Sequence, residues 1–190
     1  MTTTQSGDPR LLAHIETSRG VLVVHLFEDI APLAVANFVG LATGEKEWRH
    51  PGTGRTQTGR PLYDGTCFHR VIPNFIIQAG DPFSNPADGD DARIGQGEPG
   101  YRFADEISAT VRFDRPGRLA MANANMPDTN GCQWFITEVA APHLNGRHTI
   151  FGEVVKGFEI VPKIARSPAD ERHRPLTPVL VQKISVIRGT

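Results

Sequence analysis

The sequence predicts a mainly β fold, a closed or nearly closed antiparallel barrel carrying two short helices. Three observations predict it. Short runs rich in Val, Ile, Leu and Phe recur along the chain, Gly- and Pro-rich breaks separate them, and only two segments show helical spacing. Nineteen Gly and fifteen Pro in 190 residues mark more turns and loops than a helical bundle carries.

Residues 1–9 read as a flexible tail, and 10–190 as one domain. Leu11–Thr17 and Gly20–Phe27 are two strands about the turn Ser18-Arg19-Gly20. From Asp29 to Gly44 the period changes. Val35, Phe38, Val39 and Ala42 recur at helical spacing, Pro32 suits a first turn, and Gly44 is a stop. Residues 45–60 form a polar loop of unusual length, whose polarity suggests a mobile rim. Thr66–Ile72 and Phe75–Gln78 are strands around Pro73-Asn74, followed by a second long loop over 80–100. Arg118–Ala122, Gln133–Thr137 and Ile150–Val155 are further strands. Phe158–Arg166 is a short helix with Pro162 near its first turn, and Val179–Ile187 closes the chain as a strand.

Composition removes several function classes. The formal net charge of −1 gives no global field for nucleic acid or anionic membrane. No apolar run approaches the roughly 18 residues that span a bilayer. Met1–Arg10 has no apolar core of a signal peptide, so a cytoplasmic location is expected. Cys67 and Cys132 have no zinc or redox spacing and are expected as buried, reduced thiols.

Three patterns mislead. Gly95-Gln96-Gly97-Glu98-Pro99-Gly100 matches G-x-G-x-x-G, but Pro99 and Tyr101-Arg102-Phe103 oppose the helix that a dinucleotide fingerprint must open. It reads as a glycine-rich surface loop. His69, His143 and His148 lack compact ligand spacing, so no metal is expected. The arginines between Arg166 and Arg174 are interrupted by Asp170 and Glu171, which reads as a solvated loop.

The chemistry concentrates in three strings: Phe68–Asp81 (F-H-R-V-I-P-N-F-I-I-Q-A-G-D), Leu119–Ala124 with Thr129–Thr137, and Leu144–Gly152. Strand alternation puts Gln133, Phe135 and Thr137 on one face and Cys132, Trp134 and Ile136 on the other, and sets Arg70 opposite His69 and Val71. An exposed Phe beside Gln and Arg is the pattern of an apolar pocket with a few placed polar groups.

The three strings, in this order, resemble the cyclophilin family of peptidyl-prolyl cis-trans isomerases, from about residue 11 onward. The loop after the first helix and Pro142-His143-Leu144-Asn145 resemble bacterial, especially actinobacterial, members. The resemblance implies an eight-stranded antiparallel closed β-barrel capped by two α-helices, with a groove on its outer surface. It implies catalysis of X-Pro bond rotation in polypeptides, assistance to folding, no cofactor and a monomer. Arg70 matches the catalytic arginine, and Gln78 the residue orienting it or the substrate carbonyl. Phe75, Ile76, Phe135 and Leu144 match the walls around the proline ring, and His148 closes that pocket. Asn123, flanked by Ala122 and Ala124, matches the residue whose backbone pairs with the peptide. Gln133 lines the adjacent groove, and His69 sits at the edge.

The departures carry expectations too. Many members have tryptophan where His143 stands, which implies weakened cyclosporin binding with the isomerase activity kept. Ile76 replaces a common methionine, and the Asn125–Asp128 loop is one residue longer than the familiar version. Two other readings stay open. One is a peptide-binding or chaperone module whose catalysis is incidental, and the other a structural β-domain. Arg70 favours the enzyme, because binding alone needs no donor aimed at a transition state.

Overall fold

In the computed structural model, residues 10–189 are described; the expected 1–9 tail lies outside them. Ten strands and two α-helices follow in the order β1 Leu11–Thr17, β2 Gly20–Leu26, α1 Pro32–Thr43, β3 Trp48–Arg49, β4 Thr56–Gln57, β5 Arg70–Ile72, β6 Ile76–Ala79, β7 Arg118–Met121, β8 Trp134–Thr137, β9 Ile150–Lys156, α2 Ile160–Ala165 and β10 Val181–Arg188. Eight strands form one antiparallel sheet in the order β10-β1-β2-β9-β7-β8-β6-β5.

The sheet curls, but "closed" overstates its regularity. No ladder joins β5 to β10. The chain just before each of them makes the seam instead, through an isolated bridge between Cys67 and Leu180 and the bonds Phe68 N–H to Val179 C=O (2.9 Å) and Val181 N–H to Thr66 C=O (2.8 Å). Pro175 and Pro178, lacking N–H groups, cannot extend that pairing toward β5. The expected strand Thr66–Ile72 accordingly shortens to β5.

Alternation along β7, β8 and β6 sorts side chains into two apolar clusters. Leu119, Met121, Trp134, Ile136, Ile77 and Ala79 enter the main core inside the curl. Ala120, Phe135 and Ile76 join a second cluster on the outer face. Around Trp134, which is fully buried, the rings of Phe38, Tyr63 and Phe68 lie 5.7–6.2 Å away, near-perpendicular in each case.

Both helices add to the main core. α1 packs on β9 and β10, α2 on β2, β5 and β6. Pro32 opens α1, and the preceding Ala31 offers no side-chain cap. The Glu106 carboxylate supplies one from a distant loop, accepting from Leu33 N–H (3.0 Å) and Ala34 N–H (2.9 Å). Gly44 ends α1 at φ 79°, a left-handed conformation that suits glycine.

The 45–60 loop contains the β3–β4 hairpin and is tied down. Trp48 is buried and its Nε1 donates to Arg60 C=O (2.9 Å), while Arg49 N–H bonds Pro99 C=O (2.8 Å). Its overall polarity hid the anchor. Cys67 and Cys132 are buried free thiols, and burial pushes Cys67 up to about 11. Among the described residues no helix is long and apolar enough to cross a membrane.

Candidate active site

The outward positions of four neighbouring strands fall in one row. Arg70 on β5 pairs with Gln78 on β6, Gln78 with Phe135 on β8, and Phe135 with Ala120 on β7. The row runs from a guanidinium through an amide to an apolar floor. Phe135 is buried, not exposed as the alternation alone suggests. Phe113 stacks on it at 5.9 Å, and Ile150 and Ala141 join the same cluster.

Above this row lies a groove of about 390 Å³. Arg70, Gln78, Phe75, Ile76 and Phe135 line it from the β5–β6–β8 side. Ala122, Asn123, Leu144 and His148 line it from the loops after β7 and β8, and the buried His69 reaches it from beside Arg70. A second cavity of about 290 Å³ adjoins it, sharing Gln78, Ala122 and Asn123, and is walled by Gln133 and Ala124. His143 lines neither. Its exposed ring stacks on Phe75 at 5.4 Å, so the substitution acts on the rim and does not reshape the floor.

Arg70 has its donors largely free. Its Nη1 stands 3.5 Å from Gln78 Oε1, at the outer limit of a hydrogen bond, and it has no ion pair among the described residues. A relay of amides sets the orientation of Gln78. Gln133 Nε2 donates to Gly97 C=O (3.0 Å), so Gln133 Oε1 is the end that accepts from Gln78 Nε2 (2.9 Å). Gln78 Oε1 is thereby left facing the guanidinium.

His148 meets the floor edge-on, its ring 5.3 Å from that of Phe135. Its Nδ1 lies 3.0 Å from Met121 C=O. A carbonyl only accepts, so Nδ1 carries the proton. Burial, ahead of the opposing Met121 contact, lowers the His148 pKa below the ordinary 6.5. His69 is lowered too, first by burial and against the pull of Asp81.

The turn that presents Phe75 is clamped from β8. Glu138, just beyond β8, accepts from Asn74 N–H (2.6 Å), its own N–H donates to Phe75 C=O (2.8 Å), and Arg166 pairs with its carboxylate. Asn74 takes φ 58° in this turn, a conformation that asparagine tolerates.

Several residues that line or support the groove escape sequence reasoning. Phe113 is a lone aromatic in a polar stretch, and Ile94 a lone aliphatic; each signals an anchor. Gly95 and Gly97 belong to the loop set aside above as plain surface. The buried Asp81 carboxylate bonds Gly95 N–H, and a Cβ on Gly97 would come within 1.9 Å of Asp81 Oδ1. That loop therefore holds Gln133 in place. Arg172 and Arg174, read as solvated, line the groove as well.

Comparison with known proteins agrees with this geometry. The family profile described as cyclophilin type peptidyl-prolyl cis-trans isomerase matches residues 12–186. Peptidyl-prolyl cis-trans isomerase A of Mycobacterium tuberculosis is 46% identical over 176 residues, covering 92% of this chain and 91% of the relative. Peptidyl-prolyl cis-trans isomerase B of Streptomyces anulatus is 47% identical over 180 residues, covering 93% and 97%. A crystal structure of a Cryptosporidium parvum cyclophilin-type isomerase superimposes with TM-score 0.78 at 32% identity, over 96% of this chain and 100% of that one. A second crystal structure from that organism, solved in the presence of the dipeptide Ala-Pro, gives 0.75 at 33% identity, over 94% and 99%. With its family profile spanning the sheet and its actinobacterial relatives nearly half identical, this chain belongs to the cyclophilin-type peptidyl-prolyl cis-trans isomerases.

Proposed function

We propose that the groove turns X-Pro bonds by stabilising the twisted amide through Arg70. The observation that carries this reading is the row Arg70–Gln78–Phe135, which sets a free guanidinium beside an apolar floor. The proline ring lies on Phe135, between Phe75, Ile76, Leu144 and the edge of His148. Rotation breaks no bond; the barrier of about 18–20 kcal/mol is amide resonance. In the twisted state the prolyl nitrogen pyramidalises and gains a lone pair. A fixed N–H donor then binds the twisted form better than either planar form, which is differential stabilisation. Arginine suits the task because it stays protonated and its fork is planar. Removing about 7 kcal/mol would accelerate rotation about 10⁵-fold. Preorganisation by the Gln133–Gln78 relay supports that scale.

The flank of the substrate pairs with the backbone of Asn123, and Ala122 and Ala124 keep that approach narrow. The Asn123 side chain is occupied with Arg147 C=O (2.8 Å) and Asn125 N–H (3.1 Å), while its own N–H and C=O have no partner among the described residues. We expect the protein to act as a monomer on exposed X-Pro segments of folding polypeptides. Cyclosporin binds weakly, because the exposed His143 offers less apolar surface than tryptophan; His143→Trp raises affinity in a drug titration, and an unchanged affinity contradicts this. The reaction itself is tested by exchange NMR of a short Ala-Pro peptide. Catalytic amounts of the protein collapse the separate cis and trans signals; persistence of slow exchange beside folded protein overturns the proposal.

A further inference from the structure

We propose that the β5 end of the groove is a subsite for an anionic side chain, a carboxylate or a phosphate, on one flank of the substrate proline. This rests on the isomerase reading above and names a substrate class within it. Three arginines, Arg70, Arg172 and Arg174, line the groove, and no Asp or Glu does. The chain's net charge is −1, so this is a local feature and not the molecule's average.

The fold builds the cluster deliberately. Val71 N–H bonds His173 C=O (2.9 Å), which lays the 172–174 turn along the outer edge of β5. The Asp170 carboxylate on this turn is engaged by the backbone: its Oδ1 accepts from the N–H groups of both Arg172 and Arg174 (2.9 Å each). Arg174 Nη2 donates to Asp91 C=O (3.1 Å), a contact that fixes the side chain without neutralising it. None of the three guanidiniums has an ion pair among the described residues. Glu171 is exposed on the same turn and lines no part of the groove.

His69 adds bulk and not charge at that end: it is 6% exposed, lines the same cavity, and its ring is held by the Gln133 side chain and the Cys67 backbone. An anion seated between the three guanidiniums gains charge-assisted hydrogen bonds from donors that no carboxylate occupies. Sheet order makes the subsite directional. Asn123, just beyond β7, and the 172–174 turn, beyond β5, lie on opposite sides of β8 and β6, several strand spacings of about 4.8 Å apart. In the main groove the Asn123 end carries no charged lining residue except Arg70 across from it, and the adjoining cavity adds one carboxylate, Glu98. One flank of the proline therefore meets amides and a carboxylate, and the other meets cations.

The test uses short Xaa-Pro-Xaa peptides with glutamate, glutamine, lysine or phosphoserine placed before or after the proline, turned over by the full chain. Glutamate on one flank raises kcat/KM about fivefold over glutamine, lysine there lowers it, and the spread shrinks as salt rises. The spread vanishes in the Arg172→Gln/Arg174→Gln double variant. Phosphoserine outranking glutamate assigns the subsite to phosphate, and the reverse to carboxylate. Equal rates for glutamate, glutamine and lysine on both flanks overturn the proposal. So does an equal gain on both flanks, which is diffuse attraction, or a spread that survives in the double variant. No turnover even of the glutamine peptide would instead defeat the isomerase reading on which the subsite rests.

Discussion

Trp134 and Phe135 are neighbours in sequence and sit in different apolar clusters. Trp134 faces the interior of the curl, fully buried among Phe38, Tyr63 and Phe68. Phe135 faces outward, stacked on Phe113 at its back and open to the groove at its front. The interior has protein on every side, so its packing holds the strands in register. The outer cluster has a missing side, and that side is where a proline ring fits. Strand alternation thus separates what stabilises the fold from what binds the substrate, one residue apart.

Truncation is the sharpest way to break this comparison. Trp134→Ala should destabilise by about 5 kcal/mol and Phe135→Ala by about 3, the ends of the usual range for large aromatics, because the Phe135 void opens to solvent. Urea midpoints read the difference. The folded fraction of Trp134→Ala keeps its peptide KM, whereas Phe135→Ala raises it about tenfold or more. Equal KM values for the two variants would mean that Phe135 is only packing.

A smaller effect sharpens the same division through pH. Burial is the first cause lowering His69 and His148 on the groove side, and it lowers His25 on β2 as well. Below the ordinary 6.5 the unfolded chain binds protons that the folded chain resists. Their contribution is therefore complete above about pH 6.5 and is lost as pH falls through the lowered folded values. The urea midpoint should drop between pH 7 and pH 5, and His148→Gln should flatten the slope. A midpoint constant over that range contradicts the burial argument.

Much of this was legible in the sequence, for physical reasons. The period-two alternation of Gln133–Thr137 alone assigns Trp134 and Phe135 to opposite faces. Pro32 and Gly44 bracketed α1 closely. Ten of the thirteen expected site residues line the main groove, and Gln133 and Ala124 line its neighbour. What alternation cannot see is what covers a face. It left Phe135 exposed, because Phe113 arrives from a loop with no period of its own. It missed the Glu106 cap on α1, 72 and 73 residues away from its donors. His143 sits on the rim, because the Pro142–Leu144 turn lays its ring across Phe75. The Gly95–Gly97 and Arg172–Arg174 loops reach the groove through a few long-range bonds that composition does not encode.

The central claim is that Arg70 acts on the transition state and not on binding. The direct measurement is the catalysed cis-to-trans rate for Arg70→Ala beside wild type, together with each protein's affinity for the same peptide. We expect the rate constant kcat to fall at least about a hundredfold, near 3 kcal/mol of lost transition-state stabilisation, with affinity changed less than about threefold. A rate that falls only in step with affinity would contradict the account and make the groove a binding site whose catalysis is incidental.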